Sequence, residues 1–594
     1  MKSFAVITFF SLFATQLEAS MIRYEVFFRE PQHHYVHVEM TLDASAGEEL
    51  TLYMPVWTPG SYMIREFSRY IDMVTAQDEQ DNPLTIEKTA KNTWSLAIKA
   101  TGPVRVSYRV YANELTVRTN HVNIDHAMLN GAPTFLTVKG WENQVHQVRI
   151  HPYSTWKVIS TALPQLENEW HRAARNYDEL VDSPLEIGNH EVIHFEAAGI
   201  PHELALVGAS NVNKRKLVKE LTAIVDEELK LFRKEHPCER YVFILHHTDQ
   251  TYGGLEHLHS SLNMVPRWNY EPREKYLQSI SLLAHEYFHL WNIKRIRPVE
   301  FGPFNYNEEN YSRQLWVAEG ITSYYDDYFV YLAGVSSQYE YLDIVADNIN
   351  KVVNTPGDTF QALSESSFDT WIKYYRQHEN TQNNQVNYYT KGATVVTALN
   401  LLILNATKGK RSMDDVMRAM YERYLKNPDK GMTEAEVLRI CEDIAGVPLK
   451  DFFDRHIYGK EPVDYAHYLA YAGLELKDYN KSGYYIGWSL NNREGKWMVS
   501  KVEAGSSAYE AGLNAEDEIL AINGYRMSSN WEHVLFGSGV GSEVELLISR
   551  AGIVRSVKMK LLPDIRRKYR INVLEEITPL QKKIRNAWLV RSGE

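Results

Sequence analysis

His285 and His289 bracket Glu286 in the run LLAHEYFHLWNIKRIRP, an HExxH pattern. On a helix, positions i and i+4 share one face, so two imidazoles there can meet one metal ion. The carboxylate one residue after the first histidine stands beside the ion's open position, where it can take a proton from water. A hydrolytic zinc ion also needs a third protein ligand. Glu319, in LWVAEGITSYYDDY, is the candidate; the 29 residues between it and His289 are enough for a loop and a returning helix. Two imidazoles and a carboxylate suit zinc better than magnesium or calcium, which prefer oxygen donors. One Zn2+ per chain is the expected cofactor.

These residues need elements to hold them. Ile280, Leu282, Leu283 and Leu290 make the HExxH segment a helix buried in a core, and Ile321, Tyr324, Tyr325 and Tyr328 give the Glu319 segment an apolar stripe. From Met21 to about Pro164, the runs IRYEVFF, HYVHVEMTL, LTLYMPV and VRVSYRVYAN alternate apolar and polar residues. Turn signals at Pro59-Gly60 and Asp81-Asn82-Pro83 punctuate them, so this part reads as an antiparallel β-sandwich. VIHFEAAG and ELALVGAS add strands near residues 192–210. The run KRKLVKELTAIVDEELKLFRKE is helical by its three- and four-residue spacing, and YVFILHH is a strand. A long helical region follows, from about Tyr276 to Phe453. Short strands return from about Gly473, and the last stretch, IRRKYRINVLEEITPLQKKIRNAW, is basic and reads as helical. No internal repeat is evident.

The chain has 594 residues, too many for one core, so three to four domains are expected. A formal charge of -12 argues against a nucleic-acid surface. Residues 1–19 read as a signal peptide: Lys2, the apolar run Ala5 to Phe13, and a small residue at Ala19. The mature protein is then exported, periplasmic or secreted, with no transmembrane anchor after cleavage. Cys238 and Cys441 are the only cysteines; their pairing is open, and no CxxC pair offers a cysteine zinc site.

HEYFHLWNIKRIRP together with WVAEGITSYY resembles the glycyl aminopeptidase family of metallopeptidases, within the wider group whose third zinc ligand is a glutamate. The likeness continues through MPVWTPGSYMIREFSRYI (54–71), NGAPTFLTVKG (130–140), VDSPLEIG (181–188), FEAAGIPHELAL (195–206) and YGGLEHLHS (252–260). It implies that His285, His289 and Glu319 are the zinc ligands and Glu286 the general base. It places Glu256 where related aminopeptidases bind the substrate's α-amine, and Gly253 and Gly254 where a backbone edge approaches the substrate. NYYTKGATVV (387–396) resembles the YxKGA stretch of related aminopeptidases, in which the tyrosine donates a hydrogen bond to the oxyanion. Tyr389 matches that position, and Tyr388 competes with it. One departure stands out: four residues after Glu319, where simpler relatives carry an aspartate, is Ser323, leaving Asp326 or Asp327 to orient a zinc-bound histidine.

The stretch GSSAYEAGLNAEDEILAINGYRM resembles a PDZ domain of the bacterial protease type. That resemblance makes Tyr485, Ile486, Gly487 and Trp488 the ligand loop, with a C-terminal peptide as the expected occupant of the groove. The expected architecture is α+β and multidomain. It comprises an N-terminal antiparallel β-sandwich (21–180), a thermolysin-like, mostly helical catalytic domain (181–470), a β-rich PDZ domain (471–565) and a basic tail (566–594). The expected function is a zinc aminopeptidase acting on peptides with a free N-terminus, with the family's preference for Gly or Ala. An envelope quality-control endopeptidase and a non-catalytic peptide-binding scaffold are the alternatives. Glu256 speaks against the first; the intact HExxH, Glu319 and Tyr389 speak against the second.

Overall fold

A computed structural model describes residues 21–481 and 483–590; the segment expected as a signal peptide lies outside them. The chain divides into two compact units, one up to Asn310 and one from Tyr311.

In the first unit, period-2 alternation produces sheets with one buried face. Ile22–Phe27, Tyr35–Ala44 and Gly102–Tyr111 lie side by side in a seven-stranded sheet. Val36, Val38, Met40 and Leu42 point into a core that is shared with two four-stranded sheets. One neighbouring pair departs from the antiparallel expectation: Ile22–Phe27 runs parallel to His146–His151. More than a hundred residues separate the two strands, so no hairpin imposes the antiparallel sense.

A five-stranded mixed sheet follows. Its strands are β1 (Glu191–Ala197), β2 (Ile200–Val207), β3 (Tyr241–Thr248), β4 (Gly253–Glu256) and β5 (Ser260–Pro266), in the order β1-β2-β3-β5-β4. β2, β3 and β5 are parallel, so the chain must cross over between β2 and β3, and helix α1 (Lys214–Phe232) makes that crossing. Every residue of β3 is buried, as a central strand requires. β4 is an antiparallel edge strand. Helix α2 (Arg273–Phe288), which carries HExxH, packs on α1, β4 and β5.

The second unit is helical and then β-rich. Its helices include α3 (Ile321–Leu332), α4 (Gln338–Val353), α5 (Tyr388–Ala406), α6 (Met413–Lys426) and α7 (Glu434–Ala445). α5 is apolar around most of its circumference and contacts all four of the others, the placement such a helix demands. The PDZ-like sheet is built from Trp488–Arg493, Lys496–Val502, Glu518–Ile522, Glu543–Arg550 and Ile553–Lys560.

The C-terminal stretch is not the single basic helix that its composition suggests. Tyr569–Val573 is a strand paired with Leu474–Asp478, and a helix begins only at Pro579. Thr578 and Gln581 form its capping box, and Pro579 supplies the preset first turn. Trp588 and Leu589 are buried, and their carbonyls accept hydrogen bonds from Tyr328 and Tyr331 of α3. The stretch is therefore packed into the unit. Both cysteines are free and buried. Among the described residues no helix is long and apolar enough to cross a membrane.

Candidate active site

α2 is buried along almost its whole length, with Ile280 and Leu283 in the core and Leu290 and Trp291 just beyond its end. His285, Glu286 and His289 therefore sit on a helix that cannot shift without opening apolar surface. The two imidazoles lie with ring centroids 4.6 Å apart and planes at 84°. His289 Nδ1–H donates to the carbonyl of Asn292 at 2.7 Å. A carbonyl can only accept, so the proton is on Nδ1 and the lone pair is on Nε2. That is the tautomer a metal-ligating histidine needs, held by the kind of outer hydrogen bond that orients such ligands.

β4 brings two sequence-predicted residues beside this helix. Strand alternation puts Gly254 and Glu256 on one face, while Leu255 enters an apolar cluster with Val242, Ile244, Leu262 and Met264. Glu256, Glu286 and His289 are all buried, and each offers a donor atom within 4.8 Å of the others. Gly254 lies under the Glu286 side chain: a methyl group at its Cβ position would be 2.1 Å from Glu286 Oε1. Gly60, from the Pro-Gly turn of the β-rich part, abuts Glu256 in the same way, with 2.6 Å from its Cβ position to Oε2. Its φ of 82° also favours glycine. Gly253 occupies the start of the same edge strand.

Two buried carboxylates this close need compensating charge. Lys294, five residues beyond His289, supplies it. Burial works against its ammonium, but Asp182 and then Glu256, with Glu286 adding less, hold its pKa above the ordinary lysine value. Lys294 Nζ donates to Asp182 at 2.8 Å, and Asp182 also accepts from His257 Nδ1 at 3.0 Å and from the Leu258 N–H at 2.7 Å. Burial would raise the Asp182 carboxyl, yet Lys294 and His257 bring it to about 2. Asp182, His257 and Lys294 all lie inside motifs legible in the sequence, but nothing in their spacing indicated this network.

In the second unit, Glu319 is buried in one turn of π-helix, Trp316–Gly320, that leads into α3. Such turns displace one residue from the regular helical face and recur at functional sites. Gly320 and Gly392 meet almost backbone to backbone: a Cβ on Gly320 would be 2.6 Å from Gly392 Cα. This crossing of the AEG and KGA segments brings Tyr389 into the field of Glu319. Burial, and then the Glu319 carboxylate, push the Tyr389 phenol well above its ordinary pKa, so it remains an O–H donor. Tyr389 is half-buried and stacked on Tyr388 at 4.8 Å. Tyr388 is fully buried, with its hydroxyl 3.0 Å from Thr370 Oγ1. Lys391 is tied to Asp358 at 2.6 Å. Ser323, Asp326 and Asp327 follow along α3. Replacing Gly320 by Ala would force the two backbones apart. The expected cost is about 1–3 kcal/mol, read as earlier thermal unfolding of the helical part by calorimetry.

Tyr485, Ile486, Gly487 and Trp488 line a cavity of about 380 Å³ with Tyr484, Trp531, Glu532 and Leu535. The carbonyls of Tyr485, Ile486 and Gly487 accept from the N–H groups of Ser507, Ala508 and Glu503, which anchors the loop. Trp488 opens the edge strand of its sheet and meets Trp531 edge-on at 5.3 Å. An edge strand beside an apolar-walled groove is what an extended peptide needs for strand addition.

Residues 23–189 match the model of the peptidase M61 N-terminal domain, residues 278–395 that of M61 glycyl aminopeptidase, and residues 484–561 that of a PDZ domain. A solved aminopeptidase N family protein from Idiomarina loihiensis is 28% identical. Its alignment covers 96% of this chain and all of the other, with a TM-score of 0.89. An M1 zinc metallopeptidase from Deinococcus radiodurans is more distant: 11% identity over 72% of this chain and 90% of its own, with a TM-score of 0.44. No curated protein matches the chain significantly.

Proposed function

We propose that this chain, which matches models of the M61 glycyl aminopeptidase family and of a PDZ domain, is a peptidase of that family and a zinc-dependent aminopeptidase. One observation carries the reading. Glu256 stands within 4.8 Å of both Glu286 and His289. A carboxylate so close to the base can hold a substrate's ammonium group only when the bond at the base is the first peptide bond. An endopeptidase has no use for that anchor.

The donor set fits zinc. His285 and His289 are paired on one helix, and the His289 tautomer exposes Nε2. In this reading His285, His289 and Glu319 hold one zinc ion per chain, which when bound supplies a Lewis acid and lowers the pKa of water. Glu286 takes the proton from the attacking water and returns it to the leaving amine. Tyr389 donates its O–H to the oxyanion formed at the scissile carbonyl. Gly253 and Gly254 let the edge of β4 run against the substrate backbone. Lys294 brings a buried positive charge into the field of Glu256 and Glu286. The substrates are peptides with a free N-terminus, with the family's preference for Gly or Ala. The loop Tyr485–Trp488 takes a C-terminal peptide. The signal-like residues 1–19 support a reading in which the enzyme is exported, periplasmic or secreted.

Glu256→Ala tests this directly. On aminoacyl-anilides kcat/KM is expected to fall by about two orders of magnitude, the loss of one buried charge-assisted contact of ~3 kcal/mol. N-blocked substrates should remain inert for both enzymes. Wild-type cleavage of N-blocked or internal bonds, undiminished in the variant, would establish an endopeptidase instead.

A further inference from the structure

The β-rich part and the five-stranded sheet of the first unit share a second group of metal-type donors. Glu186, on the strand Leu185–Gly188, is completely buried. One of its oxygens accepts from His126 Nδ1 at 2.8 Å and the other from His246 Nε2 at 3.0 Å. His126 directly precedes the strand Ala127–Leu129, which pairs with Leu185–Gly188, and His246 lies on β3. One donor atom from each of the three residues falls within 4.8 Å of the other two. The His126 ring is 5.6 Å from that of His246 and 5.3 Å from that of His121. His121, His126, His190 and His246 all line one cavity of about 610 Å³. The Nδ1 atoms of His121 and His190 are buried there without a hydrogen-bond partner.

Asp125 adds a negative charge at the cavity, while Arg267 is paired with Asp249.

We propose that His126, Glu186 and His246 form a second site for a divalent transition metal of the zinc class, built from residues other than those of the HExxH centre. The ion joins the β-rich part to the five-stranded sheet. His121 lies near enough to complete the coordination, and the cavity admits water to any remaining position.

The test uses the full chain, stripped with chelator and reloaded with Zn2+ or Co2+. Metal content after dialysis, the Co2+ visible spectrum and the thermal midpoint are the readouts. His126→Asn with His246→Gln preserves an N–H donor at each position facing Glu186 but removes both ligating nitrogens. Wild type is expected to retain two equivalents and the double variant one. The double variant should keep the circular dichroism of wild type and lose part of the metal-dependent rise in thermal midpoint. His285→Ala with His289→Ala should also retain one equivalent, with a different Co2+ spectrum. Two equivalents in the His126/His246 variant, or a single wild-type equivalent abolished by the His285/His289 variant, would overturn the proposal and leave a purely hydrogen-bonded cluster. A single wild-type equivalent abolished only by the His126/His246 variant would sustain the new site and instead defeat zinc at HExxH.

Discussion

Glu286→Gln is expected to bind zinc like the wild type and to turn over about 10²–10⁴-fold more slowly, the usual contribution of a positioned general base. The substitution leaves the shape of the side chain unchanged. It still fits over Gly254 and still lies beside Glu256 and His289. His285, His289 and Glu319 are untouched, so metal content by elemental analysis should not change. What disappears is the lone pair that accepts the proton of the attacking water. The KM for aminoacyl-anilides should move little, because the amine anchor remains. Loss of the metal in this variant would show that Glu286 supports the ligands rather than the chemistry.

Gly254→Ala should come close to that loss by a different route. The new methyl group would stand 2.1 Å from Glu286 Oε1 and 2.3 Å from its Cδ, separations no side chain tolerates. Either Glu286 swings away or β4 retreats from α2. β4 is paired with β5 along its whole length, so the carboxylate is the softer element. A base displaced by about 1 Å loses on the order of a hundredfold in rate. The fold should survive, since the strand keeps its ladder and Leu255 its apolar cluster. Adding Glu286→Gln to Gly254→Ala should then cost far less than it does in wild type, because the base is already out of place. Full activity in Gly254→Ala would mean that Glu286 is not held where the reaction needs it.

Both results rest on a site that was only partly legible in the sequence. Period-2 and period-3.6 patterning located β1, β2, β3, α1 and α2, since each period reports directly which side of an element is apolar. HExxH was equally readable, because i,i+4 spacing is a local property of one helix. The C-terminal stretch misled because its charge masked the short alternating run Tyr569–Val573, whose partner strand, Leu474–Asp478, lies almost a hundred residues earlier. Strand pairing at that distance leaves no periodic trace.

By itself, the sequence determined most element types, the PDZ-like end, two histidines and the candidate base on one helical face, and the candidate anchor Glu256. These follow from local geometry and from motifs that resemble a family. Only the tertiary structure decided that Gly254 must be glycine because Glu286 lies on it, and that Gly320 and Gly392 are a single contact. It also set the Tyr388 hydroxyl beside that of Thr370. The Lys294–Asp182–His257 network and the His126–Glu186–His246 group are likewise each held by hydrogen bonds that span 60 residues or more. The physical reason is the same throughout. Periodicity says which face of an element is buried, but what that face meets is set by long-range packing of the whole core, which no short stretch of chain encodes.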